Sequence, residues 1–348
     1  NFGVIRGVAA PARVLAVVKA DGYGHGAVPL ARRLASERAA GFGVALAGEG
    51  IELREAGIGG EIVVLNGVYG GAHGAVLAAG LTPVVYDLGE VEAFARVGAD
   101  GAFAMHLKLD TGMSRLGVPH HSVDDFLDGL ERYPGAQIEG VMTHLAAADT
   151  DPEFTREQLR RFDRSLERIR GRGHRPQTVH IANSAGAFLF PEARRDLVRT
   201  GIALYGYAPG GALADDLRPA MRWRTEIIAL RDLAAGATVG YDRTFRVTGP
   251  LRLATVPVGY GDGLIRRLGN RGSMLVAGVR CPIVGRVSMD LTTLDVTAVP
   301  GAQLGDEAVI LGAQGAEAID AEEVAAAADT ISYEVLTNVS RRVPRLYL

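Results

Sequence analysis

Short apolar segments alternate with longer amphipathic segments along the first two thirds of the chain. Apolar runs bounded by turn residues are typical of buried strands, and the periodic segments between them are typical of helices. Eight such runs are found, at residues 14–20, 42–47, 61–67, 83–87, 102–110, 137–145, 178–183 and 197–207. Helical patterns lie between them at residues 27–40, 88–97, 122–133 and 152–171. The pattern predicts an α/β fold in which strands and helices alternate.

Eight strands, each with a crossover, are what a closed barrel requires. They predict an N-terminal (β/α)8 barrel of the TIM type. An open, doubly wound sheet is the alternative, but no GxGxxG fingerprint follows the first strand, which disfavours it.

The pattern changes beyond residue 220. Strand-like runs, separated by Gly, Pro and Asp turns, occupy residues 226–230, 251–258, 273–279, 282–289, 292–296 and 307–311, and one helix is predicted at residues 321–328. Residues 209–219 are rich in glycine and bounded by prolines, which is typical of a junction between domains. We therefore expect a barrel domain over residues 1–215 and a mostly β domain over residues 216–348.

Composition narrows the class of protein. Of the 348 residues, 48% are hydrophobic and 22% are charged, so a large core is expected, and the net charge of −3 gives no basic surface for nucleic acid or membrane. No apolar run approaches the roughly 20 residues of a membrane span, and no signal peptide is visible. The single cysteine, Cys281, fits a reducing compartment. We expect a cytoplasmic protein with no disulfide and no metal site.

Lysine is rare in this chain. Only two of the 37 Lys and Arg residues are lysines, Lys19 and Lys108. Arginine can replace lysine in most surface and ion-pair positions, but it stays protonated, whereas a lysine amine can lose its proton and attack a carbonyl group. Lys19, which ends the first apolar run in the segment AVVKADGYGHG, is therefore a candidate for covalent chemistry. The alternative is an ordinary lysine at a strand end.

Further candidate residues lie at the carboxyl ends of the predicted strands, where barrels of this type have their active sites. They are Lys108, Arg115, His144, Asn183, Ser184, Arg199, Gly201 and Ile202. Taken singly, each has an ordinary structural explanation, for example a core histidine or a helix N-cap. Together, a reactive lysine and hydroxyl and N–H donors for a phosphate indicate pyridoxal phosphate as the cofactor.

Eight segments in order give the chain a family resemblance. They are AVVKADGYGHG, HLKLDTGMSRLG, THLAAAD, HIANSAG, RTGIALYG, VPVGYGDG, VGRVSMD and RVPRLY. On these segments the chain resembles alanine racemase, a family of pyridoxal-phosphate enzymes with a barrel fold. The resemblance implies interconversion of L- and D-alanine, which supplies D-alanine for bacterial cell wall peptidoglycan, by a homodimer whose subunits share their active sites.

The resemblance also implies a role for each matching residue. Lys19 would hold the cofactor and act as the base on one face of the substrate α-carbon, while Tyr260 of the other subunit would act on the opposite face. His144, linked to Arg199, would support that tyrosine, and Arg199 would donate to the pyridine nitrogen. The expected cofactor-binding residues are Lys19, Tyr23, His144, Asn183, Ser184, Arg199, Gly201 and Ile202, with the phosphate held by Tyr23, Ser184 and the backbone of Gly201 and Ile202.

The remaining implied positions concern the substrate and the second lysine. Arg115 would pair with the substrate carboxylate, and the backbone around Met289, again from the partner, would complete the pocket. Lys108 matches a position that carries a carbamate in many members of the family. Some members have a tyrosine before RVPR that touches the phosphate, where this chain has Arg341, and alanine is common where this chain has Gly261.

Two other functions remain open from the sequence. One is a racemase for serine or for a broader set of amino acids, since one sequence does not reveal the pocket size. The other is a carrier that binds pyridoxal phosphate without turnover. Such carriers typically consist of the barrel alone, so the predicted β domain bearing Tyr260 argues against this alternative.

Overall fold

The structure is a computed structural model that describes residues 1–211 and 216–348. The described residues form two compact units. The first contains Asn1–Gly22 and Gly26–Arg218, and the second contains Tyr23–His25 and Pro219–Leu348. The predicted boundary between residues 215 and 216 falls at the segment 212–215, which lies outside the described residues.

The first unit is the predicted barrel. Its strands are β1 Arg13–Val17, β2 Gly41–Val44, β3 Glu61–Val64, β4 Thr82–Val85, β5 Phe103–Asp110, β6 Val118–Pro119, β7 Ala136–Met142, β8 Thr178–His180 and β9 Leu197–Thr200. The parallel strands follow the order β8-β7-β5-β4-β3-β2-β1-β9, and the short strand β6 pairs with β5. The circle nearly closes between β8 and β9, where Asp196 N–H donates to Val179 C=O at 3.1 Å and Arg199 N–H donates to Ala182 C=O at 2.9 Å. An open sheet is therefore excluded.

Helices connect the successive parallel strands of the barrel, and one further helix precedes the first strand. Their bounds are α1 Phe2–Ala9, α3 Ala27–Ser36, α4 Ala47–Glu55, α5 His73–Ala78, α6 Leu88–Val97, α7 Val123–Leu130, α8 Pro152–Gly171 and α9 Ser184–Leu189. The element α2 (Lys19–Tyr23) is a single turn with left-handed backbone angles. Short 3₁₀ turns lie at Ala99–Gly101, Pro191–Ala193, Ile202–Tyr205 and Pro209–Gly211.

The longest helix, α8, illustrates how the sequence encodes these elements. Asp151 caps it by accepting the Phe154 N–H at 2.9 Å, and Pro152 occupies the first turn, where its missing N–H has no cost. Leu159, Phe162 and other residues spaced three or four apart are buried on one face. The opposite face is charged, and across the described ranges no helix is apolar and long enough to cross a bilayer.

Side chains fill the inside of the barrel. Leu15, Val63, Val84, Met142 and Leu197, from five different strands, form one fully buried apolar cluster. Such a layer makes the barrel interior a packed core rather than an open channel.

The second unit is mostly β, as predicted. Its strands are β10 Trp223–Glu226, β11 Ala229–Leu233, β12 Thr238–Val239, β13 Phe245–Arg246, β14 Leu251–Val256, β15 Ser273–Val276, β16 Val279–Pro282, β17 Thr292–Asp295, β18 Glu307–Gln314 and β19 Glu317–Ile319. They form the sheets β10-β18-β15-β16, with β19 on β18, and β11-β14-β17, and the pair β12-β13. Two helices, α10 (Ala321–Ala328) and α11 (Ser332–Asn338), complete it, together with 3₁₀ turns at Tyr241–Arg243 and Arg266–Leu268.

Two predicted strands of the second unit are wrong. The run 226–230 crosses from one sheet to another: Ile227 N–H donates to Asp306 C=O, whereas Ile228 N–H donates to Thr255 C=O. The run 282–289 breaks because Gly285 has a φ of +78°, which turns the extended chain. In both cases the strand bounds are incorrect, and in the first run only Ile227 is buried, whereas Ile228 is exposed.

Candidate active site

Lys19 follows β1 and opens a turn of unusual handedness. Ala20, Asp21 and Gly22 have φ of 53°, 53° and 60°, with ψ near 50°, so the turn is a left-handed helical one. Left-handed geometry costs roughly 1–2 kcal/mol for each residue with a Cβ atom, so tertiary contacts must hold it. Glu49 Oε1 accepts the Ala20 N–H at 2.7 Å, and Asp21 Oδ1 accepts the Ala27 N–H at 2.9 Å.

The Lys19 amine lies in an environment that favours its neutral form. Burial lowers the pKa of Lys19, and the positive charge of Arg115 lowers it further, whereas Glu49 acts in the opposite direction. A lysine with a lowered pKa presents more of the free amine that attacks a carbonyl group or accepts a proton. The surroundings of Lys19 thus favour the free amine that covalent chemistry would need.

Arg199, on β9, is held inside the barrel by carbonyl groups. Its Nη1 donates to His180 C=O at 2.7 Å, and its Nη2 donates to Thr143 C=O at 2.7 Å and to Ile181 C=O at 3.0 Å. Burial lowers the pKa of Arg199 to about 9, so the guanidinium remains charged at neutral pH. Besides these carbonyl groups, Nη1 and Nη2 each lie 3.3 Å from a neighbouring imidazole nitrogen.

His144 is one of those imidazoles. Its Nδ1 lies 3.3 Å from Arg199 Nη2. Burial lowers the pKa of His144 well below its ordinary value, and the charge of Arg199 acts in the same direction. The ring is therefore neutral, and since Arg199 can only donate, Nδ1 is the acceptor and Nε2 carries the hydrogen.

Lys108, on β5, is buried, and its Nζ lies 3.5 Å from Leu65 C=O. Burial lowers the pKa of Lys108 to about 8, and Arg199, Arg115 and Lys19 contribute in the same direction. A substantial fraction of the amine is neutral near physiological pH. That form is the one that reacts with carbon dioxide.

Ser184 collects backbone donors at the ends of β8 and β9. Its Oγ accepts the N–H of Gly201 at 3.1 Å and that of Ala203 at 3.4 Å. Asn183 has a different task, because its side chain caps α9 by accepting the Gly186 N–H at 2.9 Å. The sequence analysis missed Ala203, whose side chain gives no signal for a backbone contribution.

Arg115 lies in the loop after β5 and is exposed. Asp110 Oδ1 organises this loop by accepting the N–H groups of Gly112 at 2.9 Å and Ser114 at 3.0 Å. The positive charge of Arg115 acts on Lys19 and Lys108 and contributes to the lowered pKa of each lysine. The first unit therefore brings Arg115 together with both lysines.

Tyr260 and Met289 belong to the second unit, which joins their two loops. Tyr260 N–H donates to Ser288 C=O at 3.0 Å, and Gly261 N–H donates to Met289 C=O at 2.8 Å. The side chains of Tyr260 and Met289 are 43% and 53% exposed. Two large side chains of this kind are thus displayed side by side on one surface.

Two further predicted positions also belong to the second unit. The Tyr23 ring is buried and lies 6.1 Å from the Tyr333 ring, and burial, with Tyr333, raises the pKa of the Tyr23 phenol. Arg341 is exposed. It occupies the position before RVPR, for which the sequence alone predicts neither a contact with the phosphate nor its absence.

The residues of the barrel fit pyridoxal phosphate. The N–H groups of Gly201 and Ala203 point at one hydroxyl, a donor set suited to an anion. Beside them the buried Thr200 Oγ1 has no hydrogen-bond partner among the described residues. At the end of the adjacent strand β1, Lys19 supplies an amine for the cofactor aldehyde. His180, which contacts Arg199, is a polar residue of this region that the sequence analysis missed.

Comparison with known proteins agrees with this geometry. The family described as "Alanine racemase, N-terminal domain" matches residues 1–209, and "Alanine racemase, C-terminal domain" matches residues 220–347. A relative from Sorangium cellulosum named "Alanine racemase" is 47% identical over 96% of this chain and 91% of its own length.

Solved structures resemble the whole chain. The alanine racemase from Bacillus anthracis with bound L-Ala-P has a TM-score of 0.92 at 32% identity, covering 100% of this chain and 93% of its own. The alanine racemase from Bartonella henselae with covalently bound pyridoxal phosphate has a TM-score of 0.91 at 30% identity, covering 100% of this chain and 96% of its own.

Proposed function

The chain belongs to the alanine racemase family of isomerases, and we propose on that premise that it interconverts L- and D-alanine with pyridoxal 5'-phosphate as cofactor. The main support is a juxtaposition at one end of the barrel. There Lys19, with its lowered pKa, follows β1, and the donors around Ser184 lie at the ends of β8 and β9. D-alanine for peptidoglycan is the proposed use of the product.

Specific residues would hold the cofactor. Lys19 would bind it covalently through Nζ, and the phosphate would be held by Tyr23, Ser184 and the backbone N–H groups of Gly201 and Ile202. When bound, pyridoxal phosphate withdraws electrons from the α-carbon of an amino acid and makes its proton acidic. Arg199 would donate a hydrogen bond to the pyridine nitrogen, since its own charge is retained at neutral pH.

Two bases on opposite faces of the α-carbon would move the proton. Lys19 Nζ suits one face because its lowered pKa favours the neutral, proton-accepting form. Tyr260 of the partner subunit would act on the other face through Oη. A phenol with an ordinary pKa near 10 needs a stabilising donor, and the Nε2–H of neutral His144 is suited to that task.

The remaining contacts would select the substrate. Arg115 would pair with its carboxylate, and the backbone around Met289 of the partner would close the pocket. Lys108 would carry a carbamate that positions Arg115, which its pKa of about 8 permits. Asn183 would support the cofactor site through the position of α9, since its side chain is used as a cap.

A homodimer is part of the proposal, because the second base would come from a second copy of the chain. The exposure of Tyr260 and Met289 supports it. If Tyr260 acts across subunits, a mixed dimer of Lys19→Ala and Tyr260→Phe chains should regain one active site, although each variant alone is inactive. Absence of recovery in mixtures that contain verified heterodimers would contradict the shared site. The cytoplasmic location stays a prediction.

Chiral analysis of the product tests the function. L-alanine, L-serine and L-arginine are incubated separately with the protein and pyridoxal phosphate, with Tyr260→Phe as the control. We expect rapid formation of D-alanine, little product from the other two, and strong loss in the variant. Comparable D-serine would indicate a broader racemase, and no D-product with cofactor still bound would indicate a carrier.

A further inference from the structure

A polar cavity of about 390 Å³ lies at the opposite, amino-terminal end of the barrel strands. Its wall includes Arg13 and Glu61, the first residues of β1 and β3, together with Glu139 of β7 and His106 of β5. Arg13 and Glu139 are exposed, so water reaches the cavity, whereas His106 is only 1% exposed and forms its inner end.

Polar contacts run from this cavity through the barrel to Arg199. Glu61 Oε1 lies 3.4 Å from His106 Nε2, and His106 Nδ1 lies 3.0 Å from His180 Nε2. His180 Nδ1 in turn lies 3.3 Å from Arg199 Nη1. The proposed active site and the cavity thus communicate through two buried imidazole rings.

The backbone makes room for this path. The register of β5 against β7 shifts between Met105 and His106, and bulges of this kind re-aim side chains. Opposite the bulge is Gly140, where a Cβ atom would lie 2.3 Å from Cδ2 of the His106 ring. A strand irregularity and a glycine therefore combine to make room for the His106 imidazole inside the barrel.

Arg199 fixes the direction of every hydrogen in the path. A guanidinium can only donate, so His180 Nδ1 must accept and its Nε2 must carry the hydrogen. That hydrogen is donated to His106 Nδ1, which leaves the His106 hydrogen on Nε2, facing Glu61. Burial lowers the pKa of His106 to about 4 and that of His180 well below its ordinary value, so both rings are neutral.

The path ends at the Glu61 carboxylate, which gives Arg199 a negative counter-charge at a distance. In the described part of the chain no carboxylate forms an ion pair with Arg199, whose direct acceptors are carbonyls and imidazoles. We propose that Glu61 is a positioning residue that acts on Arg199 from the far end of the barrel, by polarising His106 and His180 in one fixed tautomeric direction. The carboxylate thereby stabilises the charged guanidinium without touching it.

The charge of Glu61 depends on its surroundings in the cavity. Burial raises the pKa of Glu61. The positive charge of Arg13 on β1 lowers this pKa, and the negative charge of Glu139 on β7 raises it further. Below this raised pKa, Glu61 becomes neutral and the polarisation of the two rings weakens. The inference deepens the function proposed above at Arg199, but its test does not depend on turnover.

Nuclear magnetic resonance of the full-length holoprotein, labelled with ¹⁵N in histidine, tests the proposal. The signals of the two rings are assigned with His106→Gln and His180→Gln. We expect both rings as the neutral Nε2–H tautomer at pH 7. As the pH falls and Glu61 becomes protonated, the chemical shifts of the His106 nitrogens should change in one step, and those of His180 should change by a smaller amount. An Nδ1–H tautomer at either ring would overturn the proposal, and this result requires no folded variant of Glu61.

Glu61→Gln and Glu139→Gln provide the matched comparison, because both remove one charge from the same cavity. Glu61→Gln should abolish the step at both rings, and Glu139→Gln should keep it at a lower pH, because Glu139 raises the pKa of Glu61. Persistence of the step in Glu61→Gln, or its loss in both variants, would refute the proposal. If D-alanine formation fails while this pattern holds, the proposed function alone is wrong.

Discussion

Replacing Ser184 with alanine removes the acceptor that two backbone N–H groups share. The Gly201 N–H, at 3.1 Å, loses a good hydrogen bond, and the Ala203 N–H, at 3.4 Å, loses a weaker one. Ser184 is only 4% exposed, and leaving a buried donor unsatisfied costs about 1–3 kcal/mol. We expect the free energy of unfolding of the cofactor-free protein to fall by that amount, with Gly201 responsible for most of it.

The same substitution should weaken cofactor binding. A hydrogen bond to a charged group contributes about 1.5–3 kcal/mol, so Kd for pyridoxal phosphate should rise roughly 10- to 100-fold. Urea titration of the cofactor-free protein measures the first effect, and absorbance titration with the cofactor measures the second.

The neighbouring Asn183→Ala variant is the control. It removes the α9 cap, which costs about 0.5–2 kcal/mol of stability, but it leaves the donors around Ser184 in place. Stability should therefore fall in both variants, whereas cofactor affinity should fall much more in Ser184→Ala than in Asn183→Ala, which acts on the site only through the position of α9. Equal losses of affinity in the two variants would refute the assignment of the phosphate to Ser184 and Gly201.

Three further substitutions test the electrostatics and packing of each unit. The pKa of Lys108 is lowered to about 8, so between about pH 8 and pH 10.4 the unfolded chain binds more protons than the folded one, and the free energy of unfolding should rise with pH. In urea titrations, Lys108→Met should be more stable than the unchanged protein at pH 7, and this advantage should shrink by about pH 10.5. Gly140→Ala should cost about 1–3 kcal/mol in the same assay, because its Cβ would collide with the His106 ring. Gly261→Ala should cost less than about 1 kcal/mol, since the nearest atom, at 2.6 Å, is Nη1 of the exposed Arg342 side chain, and the Met289 carbonyl oxygen at 3.1 Å needs only a small shift. A larger loss would mean that the backbone there cannot adjust.

The barrel could be predicted because the features that specify its strands lie within short segments of the sequence. Each strand of the first unit is a short apolar run, and the spacing of eight such runs leaves few topologies. The rarity of lysine likewise pointed to Lys19 and Lys108, whose lowered pKa values depend on burial that the apolar runs already implied. In these cases sequence and structure report the same physical fact.

What could not be predicted depends on contacts between distant residues. The first strand was expected to reach Ala20, but it ends at Val17, and the chain turns left-handed from Ala20. The local sequence does not fix that handedness by itself, because the turn is stabilised in part by Glu49, which belongs to α4. The path from Glu61 to Arg199 is similar, since it depends on which strands face each other inside the barrel.

The charges of the proposed site explain why it suits an anionic cofactor and a carboxylate substrate. Burial lowers the pKa values of Lys19 and Lys108, and neighbouring cations, Arg115 above all for Lys19, lower them further. Such a cluster of cations is costly in the empty protein, and a phosphate and a carboxylate bring the negative charge that offsets it. In this view Glu61 matters because its ionised carboxylate offers Arg199 a counter-charge from the far side of the barrel, where it cannot compete with the ligands.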